Sequence, residues 1–127
     1  MGTLFCMNQL LLDVNLQQVP DPYLHGSWRV VDRVLSQTDS NNPLAQATFL
    51  HLQEGGLRLD TPEADDHATG QWSIERDDLL SRPYLQLQLA SESVIALVTR
   101  LRRSVDGAYR TLVLYFQSGL ELFLIYP

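Results

Sequence analysis

The sequence predicts an all-β fold, an antiparallel meander of about eight short strands preceded by an N-terminal extension. Three observations carry this reading. From Leu24 onward, apolar runs and turn residues replace one another roughly every eight to twelve residues. Several runs alternate apolar and polar side chains with the period of two that a half-buried strand requires. Glycines stand at the junctions Glu54-Gly55-Gly56, Asp106-Gly107 and Ser118-Gly119, where tight hairpins need residues that accept positive φ.

Taken in order, residues 1–23 form the extension and 24–127 the β domain. In the extension Leu4, Met7, Leu11 and Val14 fit a helical stripe, whereas Leu10, Leu12, Val14 and Leu16 fit a strand; Pro20 and Pro22 end either one. The first barrel-type run, Trp28 to Leu35, places Trp28 and Val30 on one face and Arg29, Val31 and Arg33 on the other. A polar stretch from Ser36 to Pro43 reads as a loop. Ala47 to Gln53 and Leu57 to Asp60 form a hairpin, and a second loop covers Thr61 to Thr69. Gly70 to Arg76 sets Trp72 and Ile74 against Gln71, Ser73 and Glu75. Tyr84 to Ala90 sets Leu85, Leu87 and Leu89 against Tyr84, Gln86 and Gln88. Val94 to Arg102, Tyr109 to Gln117 and Leu120 to Tyr126 complete the meander. The last strands are apolar on both faces, with Val113 and Tyr115 opposite Leu112, Leu114 and Phe116, so either the N-terminal segment or a second subunit is expected to pack outside the sheet.

At 127 residues the chain fits one domain with a real core, and 45% hydrophobic content is that of a globular protein. A net charge of −6 opposes nonspecific binding to nucleic acid. All nine basic residues are arginine, which excludes lysine Schiff-base chemistry and a P-loop lysine. A single cysteine, Cys6, permits neither an internal disulfide nor a cysteine metal cluster. No window has the length and apolarity of a membrane span, and no secretory pattern opens the chain, so a cytoplasmic location is expected.

Gly26-Ser27-Trp28 after a proline-containing lead-in, followed by the meander, resembles the lipocalin-like (calycin) families. The segment Gly70-Gln71-Trp72-Ser73-Ile74 adds a second Gly-x-Trp strand midway, and the likeness covers roughly residues 24–127. It implies an up-and-down barrel in which Trp28 opens the first strand and plugs one end. In those families an arginine beyond the last strand stacks on the opening tryptophan. This chain ends Leu124-Ile125-Tyr126-Pro127 without one, and has no Thr-Asp-Tyr-like segment, so the resemblance is that of an outlying relative or of a convergent small barrel. The resemblance implies a binding protein for a small apolar or amphipathic ligand, with an interior lined by Trp28, Phe49, Trp72, Leu85, Leu87, Leu97, Leu114 and Phe116. The alternative is a protein–protein module with a filled barrel that uses an outer apolar face, including Val113 and Tyr115, for a homodimer or a partner.

No catalytic motif is visible, so an enzyme is not expected and no cofactor is implied. His25, His51 and His67 lie on separate elements without metal-ligand spacing, and His67 beside Asp65 and Asp66 reads as a solvated acidic loop. A catalytic triad is assembled in space and leaves no fixed spacing to read. Arg100 and Arg102 share one face of their strand and would contact a ligand anion if that face lined the barrel. Ile95, Leu97, Thr99 and Leu101 form the larger apolar set and lie out of phase with them, which turns the two arginines outward.

Overall fold

A computed structural model of the chain describes residues 11–35, 43–62, 67–89 and 93–127. Strands β2 (Gly26–Val34), β3 (Phe49–Gln53), β4 (Gly56–Asp60), β5 (His67–Arg76), β6 (Pro83–Leu89), β7 (Ser93–Ser104), β8 (Arg110–Phe116) and β9 (Glu121–Tyr126) each pair antiparallel with the next. Pairing of β2 with β9 closes the sheet into an eight-stranded barrel, which leaves no open edge around the ring. A short strand β1 (Leu11–Asp13) lies outside this ring. It pairs with Arg102–Ser104 of β7, continuing the edge that β6 occupies along Ser93–Leu97. The extension therefore takes its strand alternative over 11–13, and Val14 and Leu16 pack on the core. The expectations for residues 1–10, Cys6 among them, fall outside the described residues. So do those for residues 36–42 and 63–66 and the His67 side chain, whereas residues 67–69, expected in the second loop, are the first residues of β5, held by pairing with β4.

Leucine fills the interior. Leu50 and Leu52 of β3, Leu59 of β4, Leu85 and Leu87 of β6, and Leu112 and Leu114 of β8 have no accessible surface. At about 25 cal/mol per Å² of apolar area, each buried leucine contributes roughly 2 kcal/mol. Gly70 of β5 lies tight against the backbone of β6: a Cβ there would sit 1.9 Å from the Gln88 carbonyl oxygen, so any side chain would force β5 away from β6.

Two β-bulges change which side chains enter the barrel. One extra residue flips the alternation of everything after it. Between Val30 and Asp32 the register with β9 slips, so Arg33 pairs with inward-facing Leu122. The expected placement of Arg33 beside Arg29 on the outer face is thereby corrected. The second slip falls between Val98 and Arg100. Ahead of it Ala96 and Val98 point inward while Ile95 and Leu97 point outward; after it Leu101 points inward. Arg100 and Arg102 face outward as expected, although Leu97 and Leu101 do not share a face.

Segments held by inward arginines close both ends. Where β2 runs out, the helical turn α1 (Pro43–Gln46) places Leu44 and Ala45 over the interior with Ala47 and Leu120. The Arg33 guanidinium donates to the Ala45 carbonyl and, at 2.9 Å, to that of Ala47. At the other end the chain from Val14 to Leu24 crosses the opening, ending in a 3-10 turn over Asp21–Leu24. Arg76 donates to the carbonyls of Leu16 at 2.9 Å and Val19 at 2.7 Å, and Arg110 donates to that of Tyr23 at 2.8 Å. A planar guanidinium suits this task, since its fork satisfies two carbonyls at once.

Trp28 plugs that second end. It is fully buried and donates from Nε1 to the Leu24 carbonyl at 3.0 Å. Its ring lies 5.7 Å from Tyr126, and Arg110 sits 5.5 Å from Trp28 and 4.4 Å from Tyr126. An arginine thus stacks on this plug from the first position of β8.

Candidate functional site

The residues expected to line a ligand cavity divide into three groups. Trp28, Leu85, Leu87, Leu114 and Phe116 are inward and belong to the packed core. With no accessible surface on Trp28, Leu85, Leu87 and Leu114, no void the size of a water molecule touches them. Trp72 shares the inward face of β5 but lies at the barrel mouth, half-buried. Its Nε1 donates to the Gln53 carbonyl at 2.7 Å, and its ring meets His25 edge-on at 5.1 Å. It lines an open groove of about 180 Å³ together with Asp21, His25, Gln53 and Ile74. Phe49 and Leu97 are corrections: both point away from the interior. Phe49 lies on the outer face of β3, stacked on His51 at 5.6 Å, and Leu97 is 47% exposed on β7. Arg100 and Arg102 do face a carboxylate, but it is the chain's own Asp13, 3.7 and 3.0 Å away on β1 outside the barrel.

Two surface features remain. The first is apolar. Glu75, Tyr84, Leu97, Tyr115 and Glu121 are direct cross-strand partners in one row from β5 to β9. Ile95, paired with Gln86, flanks this row on one side, and Arg100, Val113 and Phe123 form the next row on the other. Leu97 and Ile95 of β7 and Tyr115 of β8 are 47, 42 and 41% exposed, a patch of large side chains on two paired strands that half-buried Tyr84 of β6 and Phe123 of β9 extend to four.

The second is polar and lies on the outer face of β2 to β5. Ser27, His51, Arg58 and Thr69 form another direct cross-strand row. His51 Nδ1 lies 2.8 Å from Ser27 Oγ, and His51 Nε2 lies 2.8 Å from Asp60 Oδ2. An ionised carboxylate only accepts, so Nε2 carries a proton toward Asp60. In the neutral ring, Nδ1 is then the acceptor and the Ser27 hydroxyl donates to it. Asp60 is held below the usual carboxylate range, chiefly by the hydrogen bond from His51 against a smaller opposing effect of burial, with Arg58 adding its charge and an Nε–Oδ1 contact of 3.1 Å. The row borders an open groove of about 650 Å³ whose walls include Gln53, Gly56, Thr69 and Gln71. Gly56 sits between Gln53 and Gly70–Gln71 without a side chain, which keeps the groove open, and its φ of +151° disfavours any replacement.

Sequence reasoning missed this cluster as a unit. Part of it was readable: a turn with Gln53 opposite Gly56 puts His51 opposite Arg58, and Asp60 lies two residues on, on the same face. Ser27 reaches them from a strand 24 residues earlier, and nothing local specifies that register. Among the described residues, no group of three or more His, Cys, Asp or Glu is placed to hold a metal, and no helix is long and apolar enough to cross a membrane. No protein-family model, curated protein or solved structure matches this chain.

Proposed function

We propose that this chain is an outlying calycin-type barrel that acts as a protein–protein module, pairing with a second copy of itself through the outer face of β6 to β9. The observation that carries the reading is the reversal at Leu97. The interior leucines retain no accessible surface while Leu97, Tyr115 and Ile95 stay about two-fifths exposed on the outside. The Trp28–Arg110 stack supports the family assignment, since it makes the same plug from a different strand. The patch also suits a self-complementary contact. Acidic Glu75 and Glu121 end its central row and basic Arg100 begins the next, so each copy offers both charges around an apolar centre.

Size sets the strength of such a contact. Four strands at about 4.8 Å and three rows at about 6.8 Å give a footprint on the order of 400 Å². That is roughly half the 800 Å² per partner of a standard stable interface, which places the dimer in the weak, transient class. Sedimentation equilibrium over a range of concentrations tests this. The wild-type chain is expected to show a reversible monomer–dimer equilibrium, and Leu97→Asp to remain monomeric. Because Leu97 is a surface residue, the melting temperature of that variant should move by no more than a few degrees. A wild type that stays monomeric at millimolar concentration contradicts the proposal.

A further inference from the structure

We infer that Ser27, His51 and Asp60 form a second, independent site, a nucleophilic serine that hydrolyses small polar carboxylic esters in the groove beside β3 to β5. The arrangement has the three roles that acyl transfer needs: a hydroxyl, a base within hydrogen-bonding distance of it, and a carboxylate that fixes the base's tautomer. The ring nitrogens are used in the order Nδ1 to serine and Nε2 to aspartate. Either nitrogen can serve as base provided the other holds the proton, and Asp60 ensures that it does.

The step balances without a cofactor. As Ser27 Oγ bonds to the ester carbonyl carbon, its proton passes to His51 Nδ1 and the carbonyl π pair moves onto oxygen. Collapse of the tetrahedral intermediate breaks the bond to the alcohol oxygen, which leaves with the Nδ1 proton. Water then repeats both steps through the same nitrogen, releasing the acid and restoring Ser27. Asp60 stays ionised throughout and stabilises the transient imidazolium. Arg58 opposes that cation, since its Nη2 lies 3.3 Å from His51 Nε2, but the carboxylate is closer at 2.8 Å. Gln53 Nε2, 3.4 Å from Ser27 Oγ, is the side-chain donor next to the reacting centre. Arg58, Thr69 and Gln71 give the groove walls their polar character, which is why polar rather than long-chain esters are the assigned class.

The full-length chain treated with a fluorophosphonate probe tests the assignment. Ser27 Oγ would bond to phosphorus with loss of fluoride, adding one phosphonyl group that peptide mass spectrometry places on Ser27. Ser27→Ala should abolish the adduct while leaving the circular dichroism spectrum unchanged, since Ser27 is only part-buried. His51→Gln should slow labelling, and hydrolysis of p-nitrophenyl acetate, by about a hundredfold or more, the usual contribution of a general base. Asp60→Asn should slow both in the same direction. An unlabelled wild type, a label that persists in Ser27→Ala, or a rate unchanged in a folded His51→Gln each overturns the inference.

Discussion

Replacing Trp28 by alanine is expected to cost about 4 kcal/mol, the upper part of the range for truncating a buried side chain. Trp28 has no accessible surface, so its removal leaves a cavity that the closed ring of strands cannot collapse to fill. The change also strips the Leu24 carbonyl of its indole donor and removes the ring beside Tyr126 and Arg110. Domains of this size are stable by only about 5–15 kcal/mol, so the variant should sit close to its unfolding transition at room temperature. Urea titration followed by circular dichroism reads the effect as a fall in midpoint at unchanged slope. A midpoint shift equivalent to less than about 1.5 kcal/mol would mean that Trp28 is not the plug of a packed barrel.

Arg110→Ala is expected to cost about 3 kcal/mol. The guanidinium lies 4.4 Å from the Tyr126 ring, 5.5 Å from Trp28 and 5.9 Å from Tyr23, and donates to the Tyr23 carbonyl. A desolvated cation–π contact contributes up to about 2 kcal/mol. A hydrogen bond from a charged donor contributes about 1.5–3 kcal/mol. Against these stands Arg110 Nε, buried with no hydrogen-bond partner among the described residues, so the full sum is not realised. Arg110→Lys should recover less than half the loss, because an ammonium cannot lie flat on the rings. Trp28 and Arg110 touch, so the double variant should cost less than the sum of the two by about 1 kcal/mol. Strict additivity in the same urea titrations would show that the two residues do not form one unit.

Strand content was legible because alternation and glycine turns are local properties. Leu85, Leu87 and Leu89 read as a buried face and are one; Trp72 and Ile74 read as one face and share it. The errors trace to the bulges. Val31 and Thr99 are β-branched residues that suit an ordinary strand, so neither announces an inserted position. That silence sent Arg33 to the wrong face. Leu97 was likewise assigned to the inside, because it was kept in phase with Leu101. Arg100 and Arg102 were placed correctly because the slip at Thr99 moves them off the inward face of Val98 and onto the outer face of Leu97, opposite inward Leu101. The plug arginine was sought beyond the last strand, yet β8 starts beside β9's end, and closure brings Arg110 over Trp28 from there. Ring closure is a long-range property. Likewise, the His51–Arg58 pairing follows from a tight turn, whereas Ser27 joins them only through the β2–β3 register across a long connection.

A barrel filled with leucine and covered at both ends leaves its outer surface to meet other molecules. Fatty-acid titration of a Trp72→Phe variant tests this filling most directly, because Trp28 then reports alone from the barrel end. Trp28 emission is expected to be blue-shifted and to stay unchanged as fatty acid is added. A saturable, one-to-one change in that emission would contradict a filled barrel, since it would place a ligand beside a ring that now has no accessible surface.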